Sequence, residues 1–188
     1  MKLLIQSLAG TASRVLAGSA AGRKLLASLI DATPIGTTPE KVFLDFTGIE
    51  VATVSFLRES IVGYRDFTRS SRQNIYPIVA NPEPVVLEEL EHLVKARNDV
   101  LWCCWLGAKD NVTRQQLVGE LDPAQRQTFE KICELGTSTA PQLANYFPNI
   151  EIGVTAWNNR LSGLAAKGLL VEMRSGKTKM FRPVLEGC

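Results

Sequence analysis

The sequence predicts an α/β domain with a mixed sheet and packed helices over residues 1–121, followed by a small helical domain closed by a β-hairpin over residues 122–188. Three observations carry this. Up to Leu121, short apolar runs of strand length alternate with amphipathic stretches of helical period. From Asp122, three short helical segments follow one another with no strand between them. The chain then closes on LLVEMRSGKTKMFRPVL, two alternating runs about Ser175-Gly176-Lys177 that read as a hairpin.

In the first block, residues 2–6 read as a short strand, and Leu25, Leu26, Leu29 and Ile30 put an apolar stripe on a helix from about Ala20 to Ile30. Asp31–Pro39 reads as loop. KVFLDF is a buried strand that Thr47-Gly48 ends, and Phe56, Ile61, Tyr64 and Phe67 then recur at nearly helical spacing as far as Arg69. Ile75–Ala80 is the next strand, with Asn81-Pro82 as its turn. Glu83–Arg97 is a helix with Val86, Leu87, Leu90, Leu93 and Val94 on one face and Glu88, Glu89, Glu91 and Lys95 largely in solvent. VLWCCWL, residues 100–106, suits a strand covered on both faces. Gln115–Leu121 adds a last strand, so the segment from Gly107 to Pro123 should pack rather than hang as a linker.

DFTGIEVATVSFLRE, residues 45–59, resembles the STAS fold of bacterial anti-sigma-factor antagonists, and more closely the STAS-like variants in which a Ser-Phe pair opens the helix. The resemblance implies a domain that receives a signal or a partner, such as a regulatory protein or kinase. Ser55 stands where that family carries its phosphorylated serine, with Thr53 beside it, and Thr53-Val54-Ser55-Phe56 replaces the family's Asp-Ser-Ser-Gly. A phosphate on Ser55 would gain from the helix dipole and reach Arg58. The plainer role of Ser55 is to satisfy helix-start amides, with Asp45 accepting a bond from the same turn.

In the second block, Pro123–Leu135 is a helix with Asp122 as its N-cap, Gly136 past its end, and Phe129, Ile132 and Cys133 inward. A second helix follows Thr137-Ser138-Thr139 and stops before Pro148. The third, from about Gly153 to Ala166, turns Val154, Trp157, Leu161 and Leu164 inward, Thr155 and Asn159 outward, and Ala156, Asn158 and Arg160 to the flanks. TAWNNRLSGLAAKGLLVE resembles the recognition helix and following strand of winged-helix bacterial regulators. That resemblance implies a winged helix-turn-helix on double-stranded DNA, with Thr155, Asn158, Asn159 and Arg160 at the major groove and Arg174, Lys177, Lys179 and Arg182 on the wing. One such module reads few base pairs, so a homodimer is expected.

Charge agrees with this division. Six basic residues stand against Glu172 between Gly153 and Arg182, a net of +5 in a chain whose total is +2, so the remainder sums to −3. Segregated positive charge is the footprint expected for a polyanion. Four cysteines, with Cys103 and Cys104 adjacent, show no disulfide or metal spacing, and a reduced cytoplasmic setting is expected. No apolar run approaches the roughly 20 residues that span a bilayer, and the interrupted apolar start reads as folded structure rather than a leader. No phosphate loop, zinc spacing or nucleophile elbow is present, so neither an enzyme nor a cofactor is expected. The expectation is a DNA-binding transcriptional regulator with a STAS-like receiving domain. The alternative is a protein–protein adaptor whose winged helix binds protein. Small-ligand sensing in the first domain would need a pocket near Thr53 and Ser55.

Overall fold

The computed structural model describes residues 1–10, 12–176 and 178–188. Two compact units are present, Met1–Glu120 and Leu121–Cys188.

Unit 1 is an α/β fold in which β1 (Lys2–Leu4), α1 (Ile5–Leu8), β2 (Val15–Leu16), α2 (Ser19–Ala32), β3 (Glu40–Asp45) and β4 (Val51–Ala52) come first. There follow α3 (Val54–Leu57), a π turn over Arg58–Val62, α4 (Gly63–Ser71), β5 (Ile75–Ala80), α5 (Pro84–Ala96), β6 (Val100–Leu106) and β7 (Val112–Gly119). The main sheet is mixed, in the order β1-β3-β5-β6-β7, with β1, β3, β5 and β6 parallel and β7 antiparallel to β6. Strands β2 and β4 form a separate parallel pair.

Each parallel crossover moves the chain one strand in the same direction, and such crossovers are right-handed, so the helices collect on one face. Leu3, Val42, Leu44, Val79, Leu101, Cys103 and Val118 line that face and share one core with Leu25, Leu29, Phe56, Tyr64, Leu90 and Val94 of the helices. The alternate side chains Ile78, Trp102 and Cys104 point to the other face and are also buried. Cys103 and Cys104 therefore cannot serve one ligand together.

Several element bounds depart from the sequence reading. The first strand ends at Leu4 because Ile5 already belongs to a helix and is fully buried. The last strand begins at Val112, three residues earlier than its apolar pattern, because antiparallel pairing with β6 recruits the polar run Thr113–Gln116. The two-residue strands β2 and β4 carry too little pattern to be read at all.

The helical run from Val54 to Ser71 is continuous but contains the π turn. Within it Ser60 donates to the Phe56 carbonyl at 2.7 Å, and Gly22 of α2 lies against the same carbonyl. A Cβ on Gly22 would stand 2.7 Å from Phe56 O and 2.9 Å from Glu59 Cβ. In the first turn of α4, buried Arg65 donates to both carboxylate oxygens of Asp99, which precedes β6, and also to Asp66 at 2.8 Å.

Unit 2 comprises α6 (Pro123–Leu135), α7 (Ala140–Tyr146), α8 (Val154–Ala166) and the antiparallel hairpin β8 (Leu170–Ser175) and β9 (Thr178–Pro183). Asp122 caps α6 through the Gln125 amide, and Thr139 and Gln142 form a reciprocal capping box on α7. Ser138, just before α7, exchanges backbone hydrogen bonds with Phe181 at 3.0 and 2.9 Å, adding one bridge to the hairpin. Phe129, Ile132, Leu143, Trp157, Leu161, Leu164 and Phe181 are buried.

Gly22→Ala should destabilise unit 1 by roughly 1–3 kcal/mol through overpacking against backbone, read in urea unfolding of the full chain. An unchanged midpoint would show that α2 can move away from the π turn.

Candidate functional site

The carboxyl ends of β3, β5 and β6 are tied together by side chains. Asp45, 3% exposed, accepts from the Thr47 amide at 3.0 Å, the Thr47 hydroxyl at 2.7 Å and Asn81 Nδ2 at 2.9 Å. Asn81 Oδ1 in turn accepts from the Leu106 amide at 2.8 Å. Lys2 Nζ stands 3.9 Å from Asp45 and donates to Asp110 at 2.6 Å. Beside this lacing a cleft of about 390 Å³ opens, lined by Thr47, Gly48, Asn81, Pro82, Glu83, Pro84, Leu87, Trp105 and Arg114. Asn81-Pro82 was legible as a turn, but nothing in the spacing of Trp105 and Arg114 announces that they meet there.

The turn before α3 is organised differently from its sequence reading. Thr53 Oγ1 accepts from the Phe56 amide at 3.4 Å and the Gly18 amide at 3.3 Å, and Ser55 Oγ lies 3.2 Å from it. Glu89, expected in solvent, reaches over from α5 and accepts from the Val54 amide at 3.1 Å. Asp45 makes its bonds to Thr47 and Asn81 instead of to this turn, because both sit on the strand-end loops it faces. Arg58, the expected phosphate partner, is engaged with Glu59 at 3.1 Å and Ser19 at 3.5 Å. The cleft described above lies at Thr47 and Asn81, and neither Thr53 nor Ser55 lines it.

In unit 2, α8 exposes Thr155 and Asn159, with Asn158 and Arg160 half-buried. Arg160 reaches Gln127 of α6 at 3.4 Å. Val154 was read as inward but is 44% exposed, since the first helical position precedes the turn that packs. On the hairpin, Arg174 and Lys179 are cross-strand partners on one face, and both approach Glu172, at 3.7 and 3.0 Å. Arg182 pairs across from Val171 on the opposite face and lies 3.9 Å from Glu186. Lys177 lies outside the described residues.

The reading of the cysteines is corrected. Cys133 of α6 and Cys188 form a disulfide with a Cα–Cα separation of 5.7 Å, joining positions 55 residues apart whose proximity no local spacing reveals. Cys103 and Cys104 are free and buried, and burial pushes both thiols up to about 12. Among the described residues no cluster of three or more His, Cys, Asp or Glu side chains could hold a metal ion, and no helix is long and apolar enough to cross a membrane. Comparison with protein-family models, curated proteins and solved structures returns no match.

Two outcomes follow. A dithiol reductant should lower the stability of unit 2 by about 2–4 kcal/mol, and thiol labelling at pH 8 should then reach Cys133 and Cys188 quickly and Cys103 and Cys104 only on unfolding. Labelling of the two buried thiols at the same rate would contradict their burial. For the α3 turn, Ser55→Ala should be nearly neutral, whereas Ser55→Asp adds a charge beside Glu89. Its cost should shrink by about 0.5–1 kcal/mol when Glu89→Gln is made in the same chain, as a double-mutant cycle in urea would measure.

Proposed function

We propose that this chain is a non-enzymatic, DNA-binding transcriptional regulator, with unit 2 as a winged helix-turn-helix and unit 1 as a STAS-like receiving domain. The observation that carries the reading is the order of parts in unit 2: three helices, then a hairpin bridged back to the residue before α7, with an outward polar face on α8. Thr155 and Asn159, flanked by Asn158 and Arg160, offer hydroxyl, amide and guanidinium groups to base edges and phosphates. Arg174 and Lys179 add charge from one hairpin face. A homodimer would pair two half-sites and raise the number of contacts to what specificity needs. Signals or a partner protein would act through unit 1, shifting DNA affinity by their preference for one state, typically about 1–3 kcal/mol.

The ion pairs of Arg174 and Lys179 with Glu172 favour a second reading, in which unit 2 is an adaptor surface for protein. One titration separates the two. A fluorescently labelled duplex pool should bind at about 50 mM salt, weaken steeply by about 200 mM, and lose at least about tenfold in affinity in Asn159→Ala with Lys179→Glu. No binding at low salt, or binding indifferent to both substitutions, would sink the DNA reading in favour of the adaptor.

A further inference from the structure

Arg114 stands apart from the other arginines of unit 1. Each of the other seven meets a carboxylate or a backbone carbonyl, as Arg65 does at Asp99 and Arg72 at Ile30 and Thr33. Arg114 instead lies over the Trp105 ring, 4.3 Å from its centroid, and donates to Gln116 Oε1 at 3.1 Å. No carboxylate pairs with it among the described residues, although it is exposed and lines the cleft at the carboxyl ends of β3, β5 and β6. With Nη2 alone engaged, at Gln116, the guanidinium held over the ring retains N–H groups for bidentate capture of a carboxylate.

We propose that this cleft binds a small organic monocarboxylate, its carboxylate on Arg114 and its apolar body along Pro82, Leu87 and the edge of Trp105. The carboxyl ends of parallel strands are where open α/β sheets take their ligands, and about 390 Å³ is the size of a small-molecule site. The floor is already set. Asn81 holds a left-handed backbone conformation at φ 51° and spends its amide on Asp45, Thr47 and the Leu106 amide, so the wall it forms is fixed before any ligand arrives. Charge sets the class. Arg114 supplies one cation, and Glu83 on the lining adds an anion that disfavours polyphosphates and other polyanions. The inference concerns unit 1 alone and supplies a ligand class for its receiving role; it stands whether or not unit 2 binds DNA.

The test is a titration of the ¹⁵N-labelled full-length chain, without DNA, by benzoate and by its neutral counterpart benzyl alcohol. Benzoate should shift the Trp105 indole and Asn81 side-chain amide signals to saturation, and benzyl alcohol should not. Arg114→Gln should weaken benzoate by at least about tenfold, and Arg114→Lys, a point charge without the fork, should fall between the two. Leu87→Trp, which adds bulk to the cleft lining and keeps the arginine, should abolish binding and serves as the second variant should Arg114→Gln perturb the spectrum at large. Absence of saturable shifts, equal binding of the alcohol, or full affinity in Arg114→Gln or Leu87→Trp overturns the proposal. None of these results bears on the duplex titration, so the two readings fail separately.

Discussion

A buried carboxylate at the end of a parallel strand must be supplied with donors, and in unit 1 that requirement falls on Asp45. An unsatisfied carboxylate in this position would cost several kcal/mol. Three short hydrogen bonds meet the demand, and each comes from a loop that follows a strand: two from Thr47 after β3 and one from Asn81 after β5. Because Asn81 also accepts from Leu106, the bond network extends to the end of β6. The strand-end loops, which are otherwise the most mobile parts of such a sheet, thus have fixed positions. Shape and wall of the neighbouring cleft follow from this one charge.

The opposite end of the sheet uses the same device in a different currency of groups. Arg65 and Asp99 are 6% and 9% exposed and bind each other, tying α4 to the start of β6. Removing one partner would strand a buried charge, whereas the pair itself contributes less than its geometry suggests, since both ions gave up water to form it. Between the two ends, packing is set by van der Waals contact. Gly22 allows α2 to reach the backbone of the π turn, and Leu25 and Leu29 on its inner face, at 1% and 0% exposure, complete the core.

The sheet, its helices and the helical second unit were legible because their signals are local. A run such as VLWCCWL or a stripe such as Val86, Leu90, Leu93 and Val94 declares its period within one element. What stayed hidden depends on chain-distant meetings. Glu89 reads as a solvated acid on its own helix and becomes a donor's partner only because α5 lies beside the start of α3. Cys133 and Cys188 have no motif spacing, and their bond is a consequence of where the hairpin delivers the segment after β9. Trp105 and Arg114 likewise lie nine positions apart, joined by the β6–β7 register that sets one across from the other. The residues of α8 were readable as a polar face, because a helix sorts its side chains by sequence alone, but the faces of the hairpin depend on a pairing register that charge counting ignores.

That register changes what a positive net charge on the hairpin can do. Arg174 and Lys179 occupy one face and Arg182 the other, so they cannot all address one strand of duplex at once. Their pairs with Glu172 and Glu186 are also not a barrier to polyanion binding. Ion pairs at such exposure are worth about 0–1 kcal/mol, while each phosphate contact releases a condensed counterion whose contribution grows as salt falls. Exchange of Glu172 for phosphate would therefore favour phosphate at low salt and come near balance as salt rises. On the proposed DNA-binding reading the hairpin would contribute chiefly to affinity, and discrimination between sequences would fall to the amide and hydroxyl groups of α8.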